Sequence, residues 1–158
     1  MSLYENLVIE HDYLKIRDVH ALPSGYEGFY SDGYILIDKS IPNFRKAEVL
    51  FEELAHHKLT WGNILDQEDF NNRKFENYAR RAGYQAALPL RIIIEAYHYG
   101  ISNLYELAEY VELSEEYIIL VIEFYKKKYG LSTYFNGYVI KFEPLQVFEY
   151  KNVEQGEK

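Results

Sequence analysis

The segment 51–58 brings together residue types that could do chemistry on a metal ion or on a proton. It reads Phe-Glu-Glu-Leu-Ala-His-His-Lys and lies in an amphipathic run. The apolar residues of this run recur at helical spacing: Ala47, Leu50, Phe51, Leu54 and Ala55. Side chains four residues apart share one face of a helix, so Glu52 is expected beside His56. By the same spacing Glu53 is expected beside His57, and two carboxylates and two imidazoles crowd one side of the helix.

The order Glu52-Glu53-Leu54-Ala55-His56 has the spacing of the His-Glu-x-x-His motif, with Glu in place of the first His. In that motif two His four residues apart hold a metal ion, and the Glu between them activates a water molecule. Carboxylate and imidazole groups both ligate divalent cations, so Glu52 and His56 could still chelate one. The same residue types are ordinary on a solvated helix face, and the pattern alone leaves both interpretations open.

Composition narrows the classes of protein that this chain could belong to. Its 158 residues suggest one domain or two small ones, and 48% hydrophobic with 27% charged residues is typical of a soluble globular protein. Cysteine is absent, so a metal site must use His, Asp or Glu. The N-terminal residues do not read as a signal peptide, and no apolar run approaches the roughly 18 residues of a membrane span. We therefore expect a cytoplasmic protein that does not enter a membrane.

The hydrophobic pattern and the turn signals predict an α+β fold. A short helix over 3–11 and a strand over 14–17 precede a hairpin whose turn is Ser31-Asp32-Gly33. The predicted helices that follow span 44–59, 73–87 and 90–99, then 104–110 and 115–128 as a helix-turn-helix. A C-terminal hairpin turns at Asn136-Gly137. We expect a small antiparallel sheet with active-site helices over 1–89, a helical segment with the hairpin packed on it over 90–150, and a flexible tail over 151–158.

Taken together, these motifs resemble the ImmA/IrrE family of small zinc metallopeptidases, and more narrowly its phage- and mobile-element-encoded members from Gram-positive bacteria. The resemblance covers most of the chain. The residues that carry it are Glu52-Glu53-Leu54-Ala55-His56-His57, Thr60-x-Gly62-Asn63-Ile64, Glu76-x-x-Ala79-Arg80-Arg81-x-x-Tyr84-x-x-x-Leu88-Pro89 and Gly137-Tyr138-Val139-Ile140-x-Phe142-Glu143-Pro144.

The resemblance implies a zincin-like minimal metallopeptidase domain, in a cytoplasmic enzyme that cuts a repressor-like protein. By position, Glu52 takes the first metal-ligand slot, Glu53 is the catalytic general base and His56 is the second ligand. The third ligand should come from the next helix, where Glu76 is the only carboxylate. When positions are counted back from Pro89, however, the third-ligand position of the family falls on Tyr78. Asp66 or Asp69 could also substitute for Glu76.

Glu in the first ligand slot departs from the family pattern and changes the expected chemistry. A Glu-His-Glu set carries more negative charge than His-His-Glu, which should weaken Lewis acidity. The expected cofactor is a divalent metal, zinc by resemblance, with preference moved toward harder ions such as manganese. Such a site could be slow, selective for another metal, or inactive. Glu76 has an alternative role as an i,i+4 ion-pair partner of Arg80.

Two other functions remain as alternatives to a metallopeptidase. The first is a catalytically inactive protein of the same fold that binds its partner without cutting it. The second is a DNA-associated regulator built on the helix-turn-helix. In DNA-binding modules the N-terminal end of the second helix enters the major groove. Here that end is Ser114-Glu115-Glu116, in a chain with a net charge of -8, so phosphates would be repelled and no direct nucleic-acid partner is expected.

Overall fold

The structure is a computed structural model that describes residues 1–20, 22–23, 25–61 and 72–150, with residues 60–61 and 72–73 described by their backbone alone. Its elements confirm the α+β class. In chain order they are α1 (Leu3–Glu10), β1 (Lys15–Val19), β2 (Gly28–Ser31), β3 (Tyr34–Asp38), α2 (Asn43–Trp61), α3 (Asn72–Ala87), α4 (Leu90–His98), α5 (Leu104–Val111), α6 (Glu115–Tyr129), β4 (Ser132–Phe135), β5 (Tyr138–Phe142) and β6 (Leu145–Glu149).

The chain divides into two compact units. The first consists of Met1–Ala87 together with Glu112–Ser114, and the second of Leu88–Val111 together with the chain from Glu115 onward. The predicted tail over 151–158 lies outside the described residues. No helix in the described part of the chain is long and apolar enough to cross a membrane.

The sheet of the first unit has the strand order β1-β3-β2 and is mixed. β2 and β3 form the predicted hairpin, with Asp32 and Gly33 at φ of 46° and 84° in its turn. The prediction of an all-antiparallel sheet was wrong for β1, which pairs in parallel with β3. The reason is topological: β3 turns back from β2 and lies between β2 and β1. Such a non-local pairing leaves no short-range turn signal in the sequence.

The core of the first unit lies between this sheet and α2. Ile35 and Ile37 of β3 are fully buried, as are Ala47 and Leu50 of α2. Because side chains alternate along a strand, burial of Ile35 and Ile37 fixes which face of β3 meets the core. α2 packs against α1, β2, β3 and α3, so it is the central element of this unit.

The second unit packs helices on a three-stranded antiparallel sheet of order β4-β5-β6. The predicted hairpin is β4 and β5, with Asn136 and Gly137 at φ of 47° and 87° in its turn. The third strand, β6, was not predicted. It follows a turn through Pro144, which has no N–H group to donate to a strand ladder and therefore weakens a strand prediction. The core includes Ile118, Val121 and Tyr125 of α6 and Ile140 and Phe142 of β5.

Candidate metal centre

Helix α2 carries four of the residues that the sequence singled out. Its apolar face is buried at Leu50, Phe51 and Ala55. The i,i+4 spacing then places Glu52 and His56 one above the other on an adjacent face. The side chains of Glu52 and His56 are 28% and 12% exposed, so this face is neither fully solvated nor closed.

Helix α3 packs against this face because Gly83 lets the two backbones approach closely. A Cβ on Gly83 would lie 3.3 Å from the Glu52 Cα and 3.4 Å from the Glu52 nitrogen. Two turns before Gly83 on α3, Oε2 of Glu76 lies 3.2 Å from Nε2 of His56. The edge of the His56 ring also meets Phe75, with ring centroids 5.0 Å apart at 90°. Packing at Gly83 and Phe75 therefore sets the position of Glu76 beside His56.

Three side chains on these two helices form a group that could hold a metal ion. One ligand atom each from Glu52, His56 and Glu76 lies within 4.8 Å of the other two. Tetrahedral zinc ligands at bond lengths of about 2.1 Å lie roughly 3.4 Å apart, so modest rotamer changes would close the group around a cation. Two carboxylates and one imidazole are a donor set that suits zinc or a harder divalent ion. The residues present fit a divalent cation.

Glu53 lies beside this group and is buried, with only 9% of its surface exposed. Strand β2 covers it at Gly28, where an added Cβ would lie 3.3 Å from Oε1 of Glu53. The pKa of Glu53 is raised to about 8, mainly by burial and to a smaller extent by the nearby negative charges of Glu52 and Glu76. A bound cation would act in the opposite sense, because a positive charge favours the carboxylate.

Arg80 of α3 makes a further contact with α2, an ion pair with Glu52. Its guanidinium Nη2 lies 3.9 Å from Oε1 of Glu52. The i,i+4 spacing on α3 predicted Arg80 as an ion-pair partner of Glu76, and this contact with α2 was not predicted. The signal that could have revealed it is the extra negative charge that Glu brings to the first ligand slot.

The remaining predicted residues fall into three groups. His57 turns toward the strands, and its Nδ1 lies 2.9 Å from the Tyr30 hydroxyl. Burial lowers the pKa of His57, and the charge of His11 adds to that effect. Tyr78, the alternative third ligand, is 52% exposed and lies against Arg81. Asp66 and Asp69 lie outside the described residues.

The geometry defines a class of site: an oxygen-rich candidate metal centre on two packed helices, with a buried carboxyl group next to it. Comparison with known families agrees with that class, because residues 11–121 match the IrrE N-terminal-like domain family, peptidase M78. The match covers more than half of the chain, and the chain belongs to this family. Family membership points to a metallopeptidase. A comparison with curated proteins gave no match.

Proposed function

We propose that this protein is a zinc-type metallopeptidase that cuts a regulatory protein, namely a repressor of a phage or other mobile element. The observation that carries the proposal is the meeting of Glu52, His56 and Glu76 across α2 and α3, with ligand atoms within 4.8 Å of one another. Membership of the IrrE N-terminal-like domain family supports it. The choice of a repressor as substrate, and the cytoplasm as its location, rests on the motif resemblance to mobile-element members.

In this proposal Glu52, His56 and Glu76 would hold a divalent cation, with zinc as the first candidate and manganese as the second. The cation would supply Lewis acidity, which polarises a peptide carbonyl and lowers the pKa of water. The protein's part in binding is to fix three ligands on two rigid helices, which limits the reorganisation needed when the cation binds.

Glu53 is the general base of the proposed reaction. Its carboxylate accepts a proton from the attacking water and can pass that proton to the nitrogen of the leaving amine. It sits one residue after Glu52 on α2, and β2 covers it at Gly28. This burial keeps bulk water from competing for the carboxylate, so the proton stays near the reacting atoms.

The second candidate function is a non-catalytic protein that binds the same kind of partner. Glu52 in place of the first His favours this candidate, because an additional anionic ligand weakens Lewis acidity. The two candidates differ in what Glu53 does. A metallopeptidase needs a proton acceptor at this position, whereas a binding protein needs only a side chain that fits under Gly28.

The variant Glu53→Gln separates the two candidates. The amide keeps the size of the side chain but cannot accept a proton, so cleavage should fall about 10²-fold or more. Metal binding should stay nearly unchanged, because Glu53 is not among the three proposed ligands. The measurement is co-expression with repressors encoded near the gene, followed by detection of cleaved repressor and of derepression.

Glu116→Gln is the matched control, since it makes the same chemical change on an exposed residue of α6. It should cleave as the wild type does. If Glu53→Gln relieves repression as fully as the wild type, the peptidase mechanism is wrong and the binding protein is favoured.

A further inference from the structure

α2 and α3 face each other through two pairs of side chains, one turn apart. Oε1 of Glu52 lies 3.9 Å from Nη2 of Arg80, and Nε2 of His56 lies 3.2 Å from Oε2 of Glu76. Glu52 and His56 are four residues apart on α2, and Glu76 and Arg80 are four residues apart on α3. Besides the three proposed ligands, Arg80 therefore lies next to the site, opposite Glu52 on the facing helix.

The close packing of the helices explains why Arg80 can reach Glu52. Gly83 lies one turn after Arg80 on α3, and a Cβ there would lie only 3.3 Å from the Glu52 Cα. The two backbones are close at Gly83 and Glu52, and the long Arg80 side chain approaches the Glu52 carboxylate from the facing helix. A side chain at position 83 would push α3 away from this point.

The site has an excess of negatively charged groups, which the positive charge of Arg80 can offset. Glu52 and Glu76 place two carboxyl groups beside the His56 imidazole, and the buried carboxyl of Glu53 is close enough for the charges of both to act on it. With His in the first slot there would be one negative charge fewer. A guanidinium is always positive and has donors in a fixed planar fork, so it can offset a carboxylate and hold its orientation.

We infer that Arg80 is a positioning residue for Glu52, and that Glu52 with Arg80 replaces the first His of the His-Glu-x-x-His motif in this chain. In this role the positive charge of Arg80, 3.9 Å from Oε1 of Glu52, orients that carboxylate while Glu52 ligates the cation. Ligating carboxylates commonly need such an outer partner to fix their direction. This inference rests on the proposed metal site and concerns the role of one further residue in it.

A simpler role for Arg80 would be an ion pair that only joins two helices. Its side chain is 49% exposed, and exposed ion pairs contribute little to stability. A pair with only that role would contribute slightly to stability and would leave metal affinity unchanged. The two roles therefore differ in whether removing Arg80 lowers metal affinity while Glu52 occupies the first ligand slot.

A double-mutant cycle measures that dependence directly. Zinc and manganese affinities are determined by calorimetric titration for the wild type, Arg80→Gln, Glu52→His and the double variant. In the wild-type background Arg80→Gln should lower affinity by about tenfold or more, the usual effect of losing an outer partner of a ligand. In the Glu52→His background the same change should leave affinity unchanged or raise it, because a neutral ligand needs no counter-charge.

Arg81→Gln is the matched control, since Arg81 is the neighbouring guanidinium and lies over the Tyr78 ring at 4.9 Å. It should not alter metal affinity, and Arg80→Lys should recover part of the loss. Thermal unfolding by circular dichroism verifies that every variant is folded.

Equal losses in both backgrounds, or no loss in either, would overturn the role of Arg80 while leaving the metal site in place. A wild type that binds neither cation would overturn the proposed function and the role of Arg80 together.

Discussion

Two carboxyl groups in the first unit, those of Glu53 and Asp18, have pKa values that are shifted in opposite directions by their surroundings. Burial and the negative charges of Glu52 and Glu76 together raise the pKa of Glu53 to about 8, with burial the largest cause. Burial also raises the pKa of Asp18, but hydrogen bonds from Lys46 and Tyr4 outweigh it and lower the pKa overall. Nζ of Lys46 lies 2.8 Å from Oδ2 of Asp18. Asp18 is therefore a structural carboxylate, whereas Glu53 has the environment of a functional one.

The lowered pKa of Asp18 predicts a specific dependence of stability on pH. A carboxyl whose pKa is lower in the folded state stabilises the fold above its unfolded pKa of about 3.9, and the gain is lost as pH falls through the folded value. The free energy of unfolding of the wild type should therefore fall more steeply below about pH 4 than that of Asp18→Asn. Urea unfolding between pH 6 and pH 3 measures the difference.

Asp12→Asn, which removes an exposed carboxylate, is the control and should follow the wild type. A constant gap between Asp18→Asn and the wild type across this pH range would contradict the contribution of the Asp18 pKa.

At the scale of elements, β2 and α2 meet at Gly28, and this contact positions Glu53. A Cβ on Gly28 would lie 2.4 Å from Cγ1 of Val49 and 3.3 Å from Cγ of Glu53. Gly28→Ala should therefore lower the free energy of unfolding by about 1–3 kcal/mol, the usual cost of overpacking a core. Val49→Ala removes the atom in closest conflict. The double variant should thus lose less stability than the sum of the two single variants.

Urea unfolding of the wild type, both single variants and the double variant measures this coupling. Strict additivity would mean that Gly28 and Val49 do not restrict each other, and the account of the β2–α2 contact would be wrong.

The elements themselves were largely predictable because their signals are local. Helical spacing of apolar residues predicted α2, and the dipeptides Asp32-Gly33 and Asn136-Gly137 predicted the two hairpin turns, where all four residues have positive φ. β6 was missed because Pro144 precedes it and because its polar residues weaken the strand pattern. The parallel pairing of β1 with β3 depends on chain topology, which has no short-range signal.

The candidate site was predictable only in part, for the same reason. The neighbours Glu52 and His56 follow from spacing on one helix. Glu76 is 20 residues further along the chain than His56, and only the family resemblance suggested it. Arg80 was expected near Glu76 from its i,i+4 spacing, whereas packing at Gly83 brings it to Glu52. The close approach of α3 to α2 at Gly83 joins residues that are distant in the sequence, and helical spacing alone does not predict it.

At the scale of the whole molecule, charge distribution argues against nucleic-acid binding. The chain has a net charge of -8, and Glu115 and Glu116 occupy the first turn of α6. The basic residues of α6 lie in its last turn, where Lys126 pairs with Glu143 and lies 3.7 Å from Glu123. A helix that enters the major groove would present its acidic end to the phosphates.

We therefore expect that micromolar protein does not bind a DNA duplex of about 20 base pairs at roughly 150 mM salt. Non-specific affinity for DNA requires positive groups that neutralise the phosphates. Fluorescence anisotropy with labelled duplex is the measurement. Submicromolar binding with a steep salt dependence would contradict the charge argument and revive the DNA-associated regulator.

The most direct test of the proposed metal centre is calorimetric titration of zinc and manganese into His56→Ala. His56 is the only imidazole among the three proposed ligands, and its Nε2 lies 3.2 Å from Glu76. Losing one of three ligands should lower divalent-metal affinity by at least roughly tenfold. His57→Ala, which removes the neighbouring imidazole that contacts Tyr30, should keep the wild-type affinity. Unchanged affinity in His56→Ala would contradict the site.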